Sequence, residues 1–179
     1  MTQAGSVYGE ALYSLAREEA LDKRILEELA VLDRSFAQET DFLRLMSAPN
    51  LSKEERCGIL DRCFRDKVHE YVLSFLKILM EKGYIRRFHD CVQAYRRLYN
   101  EDHGILCVTA VTAVALNDAQ KAKLCGKLTQ LTGKTIDLTN RVDPACIGGV
   151  RLDYDGKRLD DTVSHRLESL GRLLNNTVL

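Results

Sequence analysis

The sequence predicts an α+β protein, with an N-terminal six-helix bundle over residues 1–103 and a small C-terminal mixed α/β domain over residues 104–179. Up to about residue 102, apolar residues recur every three or four positions, which is the period of an amphipathic helix. Segments that are β-branched or that alternate in polarity begin only after His103-Gly104. The chain has 179 residues and only 2 prolines, a length that suits one domain or two small ones.

The first four predicted helices follow from apolar spacing and from end signals. A short third helix around Phe42–Met46 should end before Pro49, because the residue before a proline avoids helical dihedral angles. Ser52 and Glu55 form a capping-box pattern that should start the fourth helix, which runs through Cys63. The first helix has the apolar stripe Val7, Tyr8, Ala11, Leu12, Leu15 and Ala16, and the second has Ile25, Leu26, Leu29, Leu32 and Phe36.

The fifth helix, from Val68 to Lys82, carries apolar side chains nearly all the way round, and a sixth follows from Tyr84 to about Asn100. Two interpretations of the fifth helix remain open. It could be a central helix that the others bury on all sides. Alternatively, one side could face the core while another lines a groove for a partner's amphipathic helix. In that case the groove residues would be Tyr8, Ala11, Leu12 and Leu15 on the first helix, and Phe75, Leu76 and Leu79 on the fifth.

The second half of the chain predicts three strands and two helices. A β-branched run from Ile105 to Val114 indicates a strand, and Thr135–Thr139 and Val150–Tyr154 alternate in polarity as strands do. Asp155-Gly156 is typical of a hairpin turn. One helix should begin after Asn117 and end at Gly133, and a last helix should run from Asp160 to Leu174.

Charge and hydropathy exclude several classes of partner. The 26 basic residues equal the 26 acidic residues, so no excess positive field gathers nucleic acid or anionic lipid around the whole molecule. No apolar run approaches the roughly 18 residues of a membrane span, and Met1-Thr2-Gln3 lacks the start of a secretory signal. We therefore expect a soluble protein of cytosolic type that binds no nucleic acid and does not insert directly into the membrane.

The cysteines and histidines indicate neither a metal site nor a disulfide framework. The sequence has no CxxC pair and no HExxH pair, and each cysteine stands beside apolar residues. We expect reduced cysteines that act as small packing residues, with no metal and no cofactor. The cysteines are Cys57, Cys63, Cys91, Cys107, Cys125 and Cys146.

Gly133-Lys134-Thr135 resembles the end of a phosphate-binding loop but does not meet its requirements. The full pattern needs a glycine where the chain has Leu128, and it needs a strand before and a helix after rather than the reverse order. The segment is better interpreted as a glycine helix end followed by a lysine. Nucleotide binding there is not expected.

A catalytic interpretation rests on weak pairings. Asp143, Asp160 and Asp161 fit turn and helix-cap roles as well as ligand roles. An enzyme would have to combine Cys146 as nucleophile with the distant His165 as base, a pairing that is common by accident. We predict no catalytic residues.

Several segments, in order along nearly the whole chain, match motifs of one known family. Tyr8-Gly9-Glu10-Ala11-Leu12 is similar to a YAxAL opening, and Ala48-Pro49-Asn50-Leu51 to a proline before a returning helix. Phe75–Gly83 resembles an FLxxLxxxGR helix end, although Tyr84 stands where an arginine is usual. The most specific match is Val142–Gly149, a VDPxxIGG motif followed by Asp160, Asp161, Thr162, Leu167 and Leu170. These segments resemble the delta subunits of bacterial and chloroplast F-type ATP synthases, whose mitochondrial counterpart is the oligomycin-sensitivity-conferring protein.

The resemblance implies a non-catalytic connector in the peripheral stalk, present in one copy per complex. Its N-terminal domain would bind the N-terminal helices of alpha subunits on the catalytic head. Its C-terminal domain would hold the C-terminal region of the b subunit. The complex would lie at the cytoplasmic face of the cell membrane, where the connector is peripheral. The alternative is a soluble helical adaptor or regulatory binding protein unrelated to ATP synthase.

Overall fold

The computed structural model describes residues 3–46, 51–160 and 162. Seven α-helices and one four-stranded sheet lie within this part of the chain, which makes it a mixed α/β protein. The chain divides into two compact units, Met1–Tyr99 and Asn100–Leu179. The division falls inside the sixth helix, between Tyr99 and Asn100. The side chain of Asn100 donates a hydrogen bond to Sγ of Cys107, 3.1 Å away, so the helix end already belongs to the second unit.

The first unit is helical throughout its described elements, which share one apolar core. The sixth helix starts later than predicted, because Ile85–Arg87 form a 3-10 turn before it. The α-helices are α1 (Gln3–Glu18), α2 (Asp22–Gln38), α3 (Thr40–Met46), α4 (Lys53–Phe64), α5 (Glu70–Glu81) and α6 (Phe88–Asp102).

Local signals explain several helix ends. The hydroxyl of Ser52 accepts a hydrogen bond from the Glu55 amide at 3.1 Å, and the Ser52 amide donates to the Glu55 carboxylate at 2.9 Å. The predicted capping box is therefore present at the start of α4. His69 caps α5 by accepting from the Tyr71 amide. Gly83, with φ of +74°, follows α5 in a conformation that glycine adopts without strain.

A cluster of phenylalanines joins four helices of the first unit. The ring of Phe36 on α2 lies 5.3 Å from Phe42 on α3, 6.2 Å from Phe64 on α4 and 5.0 Å from Phe88 on α6. Edge-to-face and offset contacts of this kind add to the stabilisation from buried area alone. The periodic apolar residues of α2 are buried at four positions: Ile25, Leu29, Leu32 and Phe36.

The fifth helix is largely buried, which favours the central-helix interpretation for most of its residues. Ile78 is the exception among its large apolar residues, with 45% of its surface exposed. The buried residues are Val72, Leu73, Phe75, Leu76, Leu79 and Met80.

The second unit contains a sheet of strand order β2-β1-β3-β4. The strands and the helix are β1 (Ile105–Thr112), α7 (Asp118–Thr132), β2 (Thr135–Val142), β3 (Val150–Tyr154) and β4 (Lys157–Asp160). Strands β1 and β2 are parallel and are connected through α7, whereas β3 is antiparallel to both β1 and β4. Leu106, Val108, Ala110 and Leu152 form the core of this unit, with Leu124 and Leu128 of α7 packed against it.

The end of the described chain differs from the prediction. The Asp155-Gly156 turn joins two paired strands, with φ of +45° and +72°, as hairpin turns require. The fourth strand was not predicted, and Asp160 pairs with Arg151 in the sheet instead of starting a helix. The remainder of the predicted Asp160–Leu174 helix lies outside the described residues, apart from Thr162.

Candidate partner-binding surfaces

The structure separates the seven predicted groove residues into a buried set and a surface set. Leu12, Phe75, Leu76 and Leu79 are buried in the core of the first unit. Ala11 is exposed, Tyr8 is half-buried, and Leu15 has 39% of its surface exposed. Only the three residues of the surface set, all on α1, can meet a partner without rearrangement of the core.

Helix α1 displays a second apolar stripe beside its core-facing one. Val7, Ala11 and Leu15 recur every four positions, and Val7 is 59% exposed. Leu12 and Ala16, each one position after a member of that stripe, are buried. Residues four apart lie on the same face of a helix, so the exposed members form a continuous apolar strip. The sequence shows which residues of α1 are apolar. It does not show which of them are buried in the core and which are exposed.

A tyrosine pair connects α1 with the segment that follows α5. The rings of Tyr8 and Tyr84 lie 5.8 Å apart at an angle of 51°. Tyr84, which stands where the resembling family usually has arginine, therefore packs on the first helix. Tyr84 is 40% exposed and thus adds an aromatic ring beside α1 that spacing alone had not selected, and Ile78 of α5 is a further exposed apolar residue.

The other flank of α1 is held by α6. The carboxylate of Glu10 lies 3.5 Å from the guanidinium of Arg97, and the ring of Tyr13 meets that of Tyr95 edge-on at 5.2 Å. The Tyr95 hydroxyl donates to the carbonyl oxygen of Asp22 at 2.9 Å. Burial raises the pKa of Tyr95, so this donor stays protonated at physiological pH. These contacts fix the direction in which the exposed stripe of α1 faces.

The cysteines do not form a reactive centre among the described residues. Burial raises the pKa of Cys91 to about 11 and also raises the pKa of Cys57, which disfavours the nucleophilic thiolate at both positions. Cys146 is buried, whereas His165 lies outside the described residues. Cys107 differs from the expectation of a packing residue, because it is exposed on a polar sheet face.

The remaining candidate motifs take structural roles. The carboxylate of Asp143 accepts a hydrogen bond from the Ala145 amide at 3.1 Å, which caps a 3-10 turn. Gly133 ends α7 with φ of +69°, and Lys134 precedes a strand rather than a helix. This order is the reverse of that in a phosphate-binding loop.

The described part of the chain has neither a cluster of metal-ligating side chains nor a helix that could span a membrane. No three side chains from His, Cys, Asp and Glu are grouped there as metal ligands would be. Within residues 3–46, 51–160 and 162, no helix combines the length and hydropathy needed to cross a bilayer.

Comparison with known proteins gives consistent matches over most of the chain. The family described as "ATP synthase delta (OSCP) subunit" matches residues 5–174. ATP synthase subunit delta of Alkaliphilus oremlandii is 33% identical over 172 residues, which are 96% of each chain. The same protein of Clostridioides difficile is 28% identical over 96% of this chain and 95% of its own. That of Synechococcus elongatus is 28% identical over 91% of each chain.

The fold also matches a solved structure. A chain in the Toxoplasma gondii mitochondrial ATP synthase hexamer aligns with a TM-score of 0.76 and 19% identity, covering 97% of this chain and 98% of that one. This likeness concerns the fold, while the sequence matches carry the family assignment. The sequence matches favour the ATP synthase interpretation over an unrelated helical adaptor. The chain therefore belongs to the ATP synthase delta (OSCP) subunit family, whose members are non-catalytic structural subunits of ATP synthase.

Proposed function

We propose that this protein links the alpha subunits of the catalytic head to the b subunits of the peripheral stalk, so that rotor torque is coupled to proton-driven ATP synthesis. The observation that supports the head contact is the exposed apolar stripe of Val7, Ala11 and Leu15 on α1. A solvent-exposed apolar strip on a helix is typical of a surface that binds a partner. Membership of the delta family supports the role.

The head contact would be a helix-in-groove interaction on an N-terminal six-helix bundle of residues 1–103. We place the N-terminal helix of an alpha subunit along α1 and α5, where Ala11, Leu15 and Tyr8 can touch it directly. The small side chain of Ala11 allows a close approach of two helices. The buried members of the predicted set, Leu12, Phe75, Leu76 and Leu79, would support this surface from within the core.

Apolar contacts suit a part that must resist torque. When the rotor turns inside the head, the head would turn with it unless the stator connects it to the membrane sector. Buried apolar area is insensitive to salt screening, whereas exposed ion pairs contribute little. Nanomolar retention requires about 12 kcal/mol of binding free energy, which demands a well-packed contact of this kind.

The C-terminal domain, predicted over residues 104–179, would hold the C-terminal region of the b subunit. One copy of the protein would then join head and stalk in each complex. We place it at the cytoplasmic face of the cell membrane, as a peripheral part of the assembled enzyme. We expect the protein to make both contacts without a cofactor and without binding nucleic acid.

Cross-linking mass spectrometry of the assembled complex tests both contacts. We expect cross-links from Lys23, Lys77 or Lys82 to the N-termini of the alpha subunits, and from lysines of α7 to the C-terminal region of the b subunit. A complementary measurement is ATP-driven proton pumping by membranes that lack this protein, with and without its addition. Cross-links confined to other subunits, or pumping that does not depend on the added protein, would contradict the proposal.

A further inference from the structure

Helix α5 begins at a histidine that caps it with its ring. The Nδ1 atom of His69 accepts a hydrogen bond from the backbone amide of Tyr71 at 3.3 Å. The first amides of a helix have no backbone acceptor within the helix, so the ring supplies an acceptor that α5 itself lacks. Because an amide can only donate, Nδ1 carries no proton in this arrangement, and the proton of the ring is on Nε2. The contact therefore requires the neutral form of His69.

The backbone of the same residue joins α5 to α2. The amide of His69 donates to Oε2 of Glu28, 2.6 Å away. The side chain of Glu28 is only 17% exposed, and its Oε1 lies 3.1 Å from Nε of Arg24. The carbonyl oxygen of His69 accepts from the amides of Val72 at 3.0 Å and Leu73 at 3.1 Å. His69 thus connects α2 to the first turn of α5.

The cap lies at the edge of the apolar core of the first unit. His69 is half-buried, and the centre of its ring lies 4.9 Å from that of Tyr71. Its neighbours Val68 and Tyr71 pack against the core. A change in the cap would therefore act on the first turn of α5 where that turn meets the core.

Charged side chains of three neighbouring elements surround this residue in the sequence and the fold. Glu28 is the group that bonds to His69 directly, so a positively charged ring would be drawn toward its carboxylate and away from the amide of Tyr71. The other charged groups are Arg24 and Glu27 on α2, Asp66 and Lys67 in the connector after α4, and Glu70 on α5.

We propose that His69 is a proton-sensitive cap, which holds the first turn of α5 when its ring is neutral and releases that turn when the ring is protonated. Histidine is the side chain whose charge ordinarily changes between about pH 5 and pH 8. A protonated ring carries hydrogen on both nitrogens, so it cannot accept from Tyr71, and its positive charge is unfavourable at a helix N-terminus. The cap is therefore present at the higher pH and lost as the pH falls. This device goes beyond the proposed function, because it acts in the first unit whichever partner that unit binds.

The test follows the amide proton of Tyr71 by nuclear magnetic resonance in the full, isotope-labelled chain. Between about pH 8 and pH 5 its resonance should move upfield with the same pH profile as the ring protons of His69, because the amide loses its acceptor. In His69→Asn, whose side-chain oxygen caps a helix without titrating, the resonance should stay in place. His89→Asn is the matched control. It removes the histidine whose Nδ1 lies 3.0 Å from both carboxylate oxygens of Asp33, and it should leave the Tyr71 profile unchanged.

A second measurement at a single pH tests the cap without a titration. At about pH 8 the amide of Tyr71 in His69→Ala should exchange with water about fivefold faster than in the wild type, whereas in His69→Asn it should exchange at the wild-type rate. A Tyr71 resonance that does not move while the ring protons of His69 do would overturn the inference, and so would a movement that persists in His69→Asn. A movement abolished by His89→Asn would assign the pH response to the pair of His89 and Asp33 instead, which also contradicts the inference.

Discussion

Gly9 on α1 and Ala94 on α6 lie so close that a Cβ added at Gly9 would stand 2.8 Å from the Cβ of Ala94. The same added atom would lie 2.5 Å from the carbonyl oxygen of Cys91, which belongs to the backbone and cannot rotate away. Only glycine allows this approach of the two helices. The contact holds α1 against α6 and thereby leaves the stripe of Val7, Ala11 and Leu15 on the outside.

The first prediction is that Gly9→Ala destabilises the protein, by about 1–3 kcal/mol, because the added methyl group overpacks the contact between α1 and α6. Helix propensity alone predicts the opposite sign, since alanine is favoured over glycine by about 1 kcal/mol in a helix. Gly58→Ala on α4 is the control, because a Cβ at Gly58 meets nothing within 4 Å. Urea unfolding of the full chain measures both. A stabilised Gly9→Ala protein would show that the helices separate without strain.

The second prediction separates the core role of α5 from its surface role. Leu76→Ala should lower the free energy of unfolding by about 2–5 kcal/mol, because Leu76 is fully buried and its loss leaves a cavity. Ile78→Ala, two residues away on the exposed side, should change stability by about 0.5 kcal/mol or less. Chemical denaturation of both variants makes the comparison. Equal effects would mean that the two sides of α5 are equally buried in solution.

The helices could be predicted because spacing and end signals agree. Ser52 with Glu55, Asn117, and Gly133 each mark a helix end in the sequence, and the structure has a helix end at each of them. The strand β4 escaped prediction because Lys157–Asp160 has no alternating pattern. It forms because the Asp155-Gly156 turn brings it beside β3.

The binding surface was harder to predict than the elements that form it. Apolar periodicity shows that Leu12 and Leu15 lie on α1, but not that the first is buried and the second exposed. That division depends on which neighbours pack against the helix, such as Gly9 against α6, and these are contacts between distant parts of the sequence. The position of Leu116 after β1 likewise depends on a distant residue, because the side chain of Asn140 on β2 accepts a hydrogen bond from its amide.

The third prediction concerns pH and the ion pair between α4 and α5. Nζ of Lys77 lies 2.7 Å from Oδ1 and 2.9 Å from Oδ2 of Asp61. The hydrogen bond from Lys77 lowers the pKa of Asp61, so the folded state favours the carboxylate more than the unfolded chain does. Its stabilisation is therefore fully present above the ordinary aspartate pKa of about 3.9 and is lost as the pH falls through the lower folded value.

Asp61→Asn should accordingly reduce stability at neutral pH, and the difference from wild type should shrink when unfolding is measured at about pH 3 or below. Asp66→Asn, a change at an exposed carboxylate near the end of α4, is the matched control. Urea titrations across this pH range provide the comparison. A stability difference that is constant with pH would mean that the ion pair contributes nothing through its charge.

The last prediction tests the head contact on α1. Ala11→Asp should weaken binding of a peptide from the N-terminus of the alpha subunit by about tenfold or more, because a partner helix would have to bury an unpaired carboxylate. Ala11 is exposed, so the helical circular dichroism should stay close to that of the wild type. Ala122→Asp makes the same substitution at an exposed position of α7, in the second unit and on a different helix from the Val7, Ala11 and Leu15 stripe, and should reduce affinity much less.

The two measurements together locate any error in this assignment. If Ala11→Asp unfolds the protein, Ala11 belongs to the core in solution and the groove lies elsewhere. If affinity and helicity both persist, the first helix does not contact the partner at this position, and the surface around Ile78 and Tyr84 becomes the next to mutate. Equal losses for Ala11→Asp and Ala122→Asp would indicate a general electrostatic effect, because a helix seated on the apolar stripe of α1 distinguishes the two positions.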